Sequence, residues 1–573
     1  MYRRILAFDY DGTLAENGHV PPALQQALSQ LHLAGYALFL VTGRQVDSVR
    51  LGSLNDLFTG IVWENGAVLS HLASHETYLP FGHVDPRLVE ALEAANVPLE
   101  HGRAIVATWL PYEETVWHVL QATGIDVAVV HNKGALMLLP PGAAKGTGLE
   151  RMLTLCGFSV RNLVCFGDGE NDLSLLQVGE TGVAVADAVP SVKESADWVT
   201  SQPGPAGVLE ALERYWLHGE APALPARHEH LIPLGEDAEE TPYFLSGAQL
   251  ISGNLGVFGD SSSGKSWATG LVAEGMHMAG YQTLLIDTEG DYRGLRSLPG
   301  FMVFNGDEKS LPTPASVMTL LEATALSMVL DLCTLSMRQR ELYVADLFHA
   351  LRPLREHKFR PHWIVLEEAQ QFVATPDSTT FSAIQPMLPQ GGWAFVSYRP
   401  DWLDPAVLTT IDRCLITRLS IPEALRALPC RLDDSAKAAL AQTPQGYLWA
   451  SDGHLVRLHL STRRIPHIRH LYKYLDLPLP RAKRFYFRTE QGYLGCEAAS
   501  LFEFKELLAS LPSESLAYHQ TRGDFAAWVH HTLGDEILAA HLDKLARRPQ
   551  LKGEALRQAL LQRVTAHYME IQS

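Results

Sequence analysis

Asp9 and Asp11 stand two residues apart where an apolar run ends, and Gly12-Thr13 turns the chain away. In an extended segment the side chains of residues i and i+2 point to one side. Two carboxylates therefore face one site, where they repel unless a cation lies between them. Later apolar runs end in Thr42-Gly43-Arg44 and in GDGEND (167–172), which carries Asp168, Asn171 and Asp172; Lys145 lies between these runs in GAAKGTGLE (142–150). A carboxylate attacks a dianionic phosphate only where positive charge offsets the repulsion, and a divalent cation together with Lys145 can supply it. Taken alone, each fragment reads equally well as a turn or a solvated loop. The ordered set points to phosphoryl chemistry.

A second constellation handles phosphate differently. FGDSSSGKSW (258–267) places Gly259, Ser263, Gly264, Lys265 and Ser266 in the GxxxxGK[ST] spacing, after an apolar run and before the helical stretch WATGLVAEGMHMAG. In that context the backbone N–H groups wrap phosphates, the lysine reaches the β- and γ-oxygens, and the hydroxyl ligates Mg2+. ATP is the expected substrate. Further on, WIVLEE (363–368) ends an apolar run in Glu367 and Glu368, a pair that also reads as the acidic start of a helix.

Strand-like runs at 4–9, 37–43, 60–66, 162–168 and 181–187 alternate with helical segments such as PPALQQALSQLHLAG (21–35), which has a Gly stop. This alternation predicts a doubly wound parallel sheet over 1–215, with the motif residues at the C-terminal strand ends where open α/β sheets build their sites. The stretch between Arg44 and Lys145 leaves room for a small α+β cap at about 80–135. Residues 216–242, rich in Pro, Glu and His, read as a linker. A second α/β block covers 243–480, with strands expected at 255–259, 283–289, 362–368, 393–399 and 414–420. The last segment, 484–573, is expected to be a small, mainly helical domain ending on an exposed basic helix.

Composition narrows the classes. The 573 residues are 47% hydrophobic and 19% charged, a globular balance in a chain too long for one core. The net charge is −18, and residues 1–215 hold 12 Lys and Arg against 24 Asp and Glu, a surface that repels nucleic-acid phosphates. The 6 cysteines are scattered without metal spacing, which fits reduced thiols. His519, His530 and His531 read as core or surface residues rather than metal ligands. No apolar run approaches the ~18 residues that span a bilayer, and a catalytic-looking loop so near the N-terminus leaves no room for a signal peptide. A cytoplasmic location without a membrane partner is expected.

The order Asp9/Asp11, Thr42, Lys145, Asp168/Asp172 resembles the haloacid dehalogenase-like phosphatases, in particular the capped branch that acts largely on sugar phosphates. The resemblance implies a Rossmann-like core, with Asp9 as the nucleophile that takes the phosphoryl group and Asp11 as acid to the leaving group and base to water. It also implies Thr42 and Lys145 on the phosphoryl oxygens, and Mg2+ held by Asp9, Asp11, Asp168 and Asp172. Gly43, Arg44, Asn65 and Asn171 would line the pocket of a small phosphomonoester. Where relatives carry Asn-Ala after the fourth motif, this chain has Asp187-Ala188.

The P-loop, LLIDTEGDY (284–292), WIVLEEAQQF (363–372) and AFVSYRPDWLDPAVL (394–408) together resemble the HerA/FtsK-like translocase ATPases. That implies a RecA-like α/β domain in which Glu367 assists Mg2+ and Glu368 polarises the attacking water. Tyr398 stands where relatives often carry a polar sensor. Arg413 and Arg418 are candidates for a finger reaching a neighbouring subunit's nucleotide, which implies a homo-oligomer such as a hexameric ring. The whole reads as a bifunctional hydrolase: a Mg2+-dependent phosphatase fused to an oligomeric ATPase that regulates or assembles it. The alternative is a HerA-like nucleic-acid translocase or phage-defence effector whose phosphatase-like domain acts on nucleotide or nucleic-acid phosphate. The acidic balance leaves nucleic acid allowed but not favoured.

Overall fold

The structure is a computed structural model that describes residues 4–46, 48–49, 51–132, 134–217, 230–261, 263–304, 311–375, 378–430, 440, 447–451, 454–465, 479, 483–533, 535–548 and 550–572. The first sheet contains β1 (Ile5–Asp9), β2 (Ala37–Val41), β3 (Gly60–Trp63), β4 (Val68–His71) and β5 (Glu76–Tyr78). A separate antiparallel sheet follows, β6 (Glu100–His101), β7 (Val106–Trp109), β8 (Ala128–Asn132) and β9 (Ala135–Leu139), in the order β6-β7-β9-β8. With the helices Pro86–Ala94 and Glu113–Thr123 it forms the cap, which runs to Leu139 rather than stopping at 135. The chain then returns to the first sheet through β10 (Leu163–Gly167), β11 (Thr181–Ala184) and β12 (Trp198–Val199).

The first sheet has the order β12-β11-β10-β1-β2-β3-β4-β5, parallel from β12 to β3. All residues of β1, β2, β3 and β10 are buried. Helices cover both faces of such a sheet, which is why these strands read as unbroken apolar runs.

The second block adds β13 (Leu231–Glu236), β14 (Pro242–Ser246), β15 (Asn254–Phe258), β16 (Thr283–Asp287), β17 (Phe301–Phe304), β18 (Ser327–Asp331), β19 (Trp363–Leu366), β20 (Trp393–Ser397), β21 (Ile411–Ile416), β22 (Tyr447–Ser451) and β23 (His454–Leu460). The order is β14-β13-β23-β22-β21-β15-β20-β19-β16-β18-β17, parallel from β21 to β17. β13 lies inside the stretch expected to be a linker. Its Ile232 and Leu234 are buried against the P-loop helix Lys265–Met278, so a period-2 apolar pattern had been hidden among Pro and Glu. The rest of that stretch, 218–229, and most of 431–482 lie outside the described residues.

The last segment is a hairpin, β24 (Phe485–Thr489) and β25 (Gly492–Ala498), packed with five helices. Its final helix, Gly553–Gln572, buries Leu556, Leu560, Val564 and Tyr568. The expected exposed basic helix therefore has a core-facing side.

The first two blocks share a polar junction. The helix Lys145–Cys156 ends with the carbonyls of Cys156 and Gly157 accepting from Lys358 Nζ (2.6 Å) and Arg360 Nη1 (3.4 Å). Cations at a helix C-terminus are favourable. Phe158 and Phe359 stack beside them, and Asn162 donates to the Phe359 carbonyl at 3.1 Å. Nearby, the buried Glu180 receives the Tyr281 hydroxyl at 2.5 Å, with His230 and Arg161 at 3.2 and 3.7 Å.

Candidate functional site

Asp9 closes β1 and Asp172 follows β10. Lys145 opens its helix between them, its ammonium 2.6 Å from Asp9 Oδ1 and 2.6 Å from Asp172 Oδ1. All three are buried. Burial and the Asp172 charge push the Asp9 carboxyl well above the usual range, with Lys145 opposing them. Burial pulls the Lys145 ammonium down, but Asp172 and Asp9 outweigh it and the group ends raised. The other oxygen of Asp172 accepts from the N–H groups of Asp168 and Gly169, each at 3.0 Å.

Ligand atoms of Asp9, Asp168 and Asp172 all lie within 4.8 Å of one another, the one such group among the described residues. Three acids against one ammonium leave surplus negative charge in a largely buried site, and an all-oxygen donor set suits Mg2+. Asp11 is outside that group. Its carboxylate is held by Arg44, Nε to Oδ2 at 2.7 Å and Nη2 to Oδ1 at 2.6 Å. Asp187 is exposed and accepts the Gly204 N–H at 2.9 Å, serving the start of the helix Gly204–Leu212 rather than the acidic group.

Thr42 is buried, and its hydroxyl accepts the Arg44 N–H at 3.1 Å. Asn65 and Asn171 are joined, Nδ2 of Asn171 to Oδ1 of Asn65 at 3.0 Å, and Gly43 packs directly on the Asn65 amide. Glu64 and Asn65 have φ of 53° and 51°, a left-handed conformation that costs a non-glycine residue about 1–2 kcal/mol. Such strain concentrates at functional positions. Thr13, whose hydroxyl reaches Asp168 at 3.3 Å, and Glu64 escaped the sequence reading.

In the second block Lys265 lies over its own loop, donating to the carbonyls of Gly259 and Asp260 at 3.0 Å each. Gly264, at φ 100°, supplies the left-handed turn into the helix. The Ser263 hydroxyl contacts Thr417. Ser266 donates to Glu367 at 3.3 Å, and Tyr292 donates to the other Glu367 oxygen at 2.8 Å. Burial, then the Asp291 and Glu368 charges, raise the Glu367 carboxyl well above its ordinary value. Glu368 is left-handed at φ 50°, and Gln370 links its carboxylate to the Ser397 hydroxyl, 2.6 Å from the amide oxygen.

That Gln370–Ser397 relay stands beside the acid pair. Tyr398, which stands where relatives often carry a polar sensor, packs edge-on to Trp402 at 5.9 Å. Arg413 sits at the start of β21, the strand end opposite the P-loop, and pairs with Asp412 at 2.5 Å. Arg418 is 3.5 Å from Asp260 of its own P-loop. In the last segment His519 is a satisfied core residue, with Asp524 at 2.8 Å on Nδ1 and the Arg488 N–H at 2.8 Å on Nε2.

This geometry agrees with the comparisons to known proteins. The sequence profile described as haloacid dehalogenase-like hydrolase matches residues 6–91 and 113–212, that of the helicase HerA central domain matches 231–391, and a family of unknown function matches 483–573. Phosphoglycolate phosphatase 2 of Saccharolobus solfataricus is 30% identical over 223 residues, 37% of this chain and 91% of that protein. A phosphoglycolate phosphatase of Methanothermobacter thermautotrophicus is 29% identical over 237 residues, 37% of this chain and 98% of that protein. A solved haloacid dehalogenase-like hydrolase from Bacteroides thetaiotaomicron has a TM-score of 0.33 at 22% identity, covering 37% of this chain and 99% of that one. The chain belongs to the haloacid dehalogenase-like hydrolases. It is a hydrolase in which a phosphatase domain of that family is fused to a HerA-type P-loop ATPase domain. Among the described residues no helix is long and apolar enough to cross a membrane.

Proposed function

We propose that the first domain hydrolyses small phosphomonoesters through a phosphoryl group on Asp9, with Mg2+, and that the ATPase domain regulates this reaction. An Asp9 oxygen attacks the phosphorus, the ester P–O bond breaks, and its oxygen takes a proton from Asp11. Water then attacks the phosphorus, Asp11 accepts the proton, and the P–O bond to Asp9 breaks. Lys145 and Thr42 hold phosphoryl oxygens, and Asn65, Asn171, Gly43 and Arg44 line the pocket. Mg2+ held by Asp9, Asp168 and Asp172 supplies the charge that offsets carboxylate–phosphate repulsion. The names of the relatives make phosphoglycolate the first substrate to test, and a guanidinium beside Asp11 suits a leaving group that carries a carboxylate.

In the second domain Lys265 and the P-loop bind ATP, Ser266 and Glu367 serve its Mg2+, and Glu368 polarises the attacking water. One observation carries the regulatory reading. The helix that starts at Lys145 ends under Lys358 and Arg360, and that segment leads into β19, which delivers Glu367 to Ser266. A nucleotide-dependent shift of β19 would move the far end of the helix that positions the Asp9–Lys145–Asp172 cluster.

The test is phosphate release from phosphoglycolate and a monoester panel by wild type, Asp9→Asn, Lys265→Ala and Lys358→Ala, with and without ATP. Asp9→Asn should lose monoester hydrolysis and keep ATP turnover. Lys265→Ala should lose ATP turnover together with any ATP effect on the monoesters. Lys358→Ala should keep both activities and lose the ATP effect. Monoester hydrolysis indifferent to ATP in the wild type would refute regulation. The helicase HerA match supports a second reading, a ring-forming ATPase stimulated by nucleic acid. ATP turnover unchanged by DNA or RNA at low salt, where phosphate contacts are strongest, would remove it.

A further inference from the structure

Three consecutive residues after β3 leave the ordinary backbone region: Glu64, Asn65 and Gly66, at φ 53°, 51° and 101°. They lie where the cap meets the phosphate-handling loops. On the core side, the Glu64 N–H donates to the Arg44 carbonyl at 3.0 Å and the Asn65 N–H to the Thr42 carbonyl at 3.1 Å. On the cap side, the Asn65 amide meets Met137 of β9 at 2.9 Å. The Glu64 carboxylate is fully buried and accepts three backbone N–H groups in a row from the loop between β6 and β7. These come from Arg103 to Oε1 at 2.8 Å and from Ala104 and Ile105 to Oε2 at 2.9 and 3.3 Å. Successive N–H groups curled around one anion make a nest. Gly102 completes it: a Cβ there would lie 2.7 Å from Glu64 Oε2.

The held loop belongs to the base of the cap, packed on the core rather than within the cap itself. Ala104 and Ile105 are buried with Leu139 and Ala143 in the core cluster of the first domain, whereas the cap's own core is centred on Leu88, Val116 and Leu138. The entering linker is tied to the same loop, the Val84 N–H donating to the Ala104 carbonyl at 3.0 Å. Both connections between cap and core therefore converge on the peptide that Glu64 holds.

We propose that Glu64 is a positioning residue for the phosphatase reaction, the fixed pivot about which the cap turns to cover Asp9. By registering the 102–105 loop against the Thr42–Arg44 loop, it sets the pose in which the cap presents itself to the leaving group. The charge of Glu64 does no chemistry on the substrate. Its two oxygens are needed together, because only a carboxylate accepts three donors without offering one back. The inference rests on the phosphatase reading for its kinetic test and stands independently of it in its exchange test.

The kinetic test compares wild type with Glu64→Gln on acetyl phosphate, p-nitrophenyl phosphate and phosphoglycolate. Gln keeps the shape but turns an NH2 toward a backbone N–H, and loss of a hydrogen bond to a charged group corresponds to about 10- to 100-fold. The expected result is a fall of that size in kcat/KM for phosphoglycolate, carried mainly by KM. Acetyl phosphate, the smallest phosphoryl donor, should stay within about threefold of wild type on the same scale. An equal loss on all three substrates, or no loss on any, overturns the proposal. Should Glu64→Gln fail to fold, Gly102→Ala pushes the loop away from an intact carboxylate and should give the same selective loss.

Hydrogen exchange supplies the second arm, on the full chain with and without Mg2+ and orthovanadate. The amides of 103–105 should exchange slowly in both states, while the cap helices change protection. Amides of 103–105 that become protected only on adding vanadate would show that the loop travels with the cap, and the pivot would be lost. If the wild type releases no phosphate from any monoester, the phosphatase reading fails, and the exchange arm is read without vanadate: amides of 103–105 that exchange faster in Glu64→Gln than in the wild type keep Glu64 as the anchor of the cap, and unchanged exchange removes it.

Discussion

Arg44 grips Asp11 with two parallel hydrogen bonds, Nε to Oδ2 at 2.7 Å and Nη2 to Oδ1 at 2.6 Å. The two side chains are 38% and 37% exposed, so the pair adds little to stability. Its consequence is chemical. In that grip both Asp11 oxygens are occupied as acceptors, yet the proposed reaction needs one of them free to pass a proton to the leaving group. A substrate whose leaving group carries its own carboxylate can draw Arg44 away and free Asp11. Arg44→Gln is therefore expected to lower kcat/KM for phosphoglycolate by about 10- to 100-fold. p-Nitrophenyl phosphate, without a competing carboxylate, should fall far less. Equal losses on both substrates would show that Arg44 only shapes the site.

Lys145 should matter for stability as well as for chemistry. Lys145→Met leaves Asp9 and Asp172 facing each other in a buried site, and breaking a buried ion pair costs about 3–5 kcal/mol. The first domain should melt earlier, and monoester hydrolysis should be lost. Mg2+ supplies the missing positive charge, so it should raise the melting temperature more in the variant than in the wild type. A chelator should abolish hydrolysis in the wild type, and added Mg2+ should restore it. Melting curves of the variant that are indifferent to Mg2+ would place the cation elsewhere.

Much of this architecture could be read from sequence because parallel strands covered on both faces are continuous apolar runs, as β1, β2, β15 and β19 are. Asp9 and Asp168 were legible for the same reason, since they sit where such runs stop, whereas Lys145 opens a helix after the antiparallel β9 and was legible only through its place in the ordered set. β13 was missed because Pro233 and Glu236 interrupt its pattern, and β17 and β18 because a short apolar run does not distinguish strand from helix. Pairings across long separations were not legible at all. Nothing in the neighbourhood of Glu64 shows that it folds against residues 103–105, and Gln370 acquires meaning only when β19 and β20 bring it to Glu368 and Ser397. Ser397, one residue before Tyr398, is the one whose hydroxyl reaches Gln370 beside the acid pair.

The junction between the domains offers a test through a single hydroxyl. Tyr281 donates to the buried Glu180 at 2.5 Å, and Tyr281→Phe removes that bond while keeping the ring. A hydrogen bond to a charged acceptor is worth about 1.5–3 kcal/mol. The phosphatase and ATPase domains of the variant should then unfold as two separated calorimetric transitions, and those of the wild type should be merged. Each basal activity should persist. A single unshifted transition would mean that the Glu180 cluster does not hold the domains together.

His362 is buried just before β19, its Nδ1 accepting the Gln282 N–H at 2.8 Å. Burial first, then the charges of Arg360, Arg161 and Arg355, holds its pKa well below the ordinary 6.5. The folded protein therefore keeps this ring neutral, whereas the unfolded chain protonates it near pH 6.5. The stability that His362 contributes is present above that pH and is lost as the pH falls below it, by up to about 1.4 kcal/mol per unit. Asp287, pushed up to about 7 by burial and the Asp331 charge, and the raised Glu367 act in the opposite direction, so the His362 contribution is read as a difference: relative to His362→Gln, whose amide oxygen can still accept from Gln282, the wild type should lose stability between about pH 7 and pH 5. Parallel profiles would mean that other groups carry the acid sensitivity.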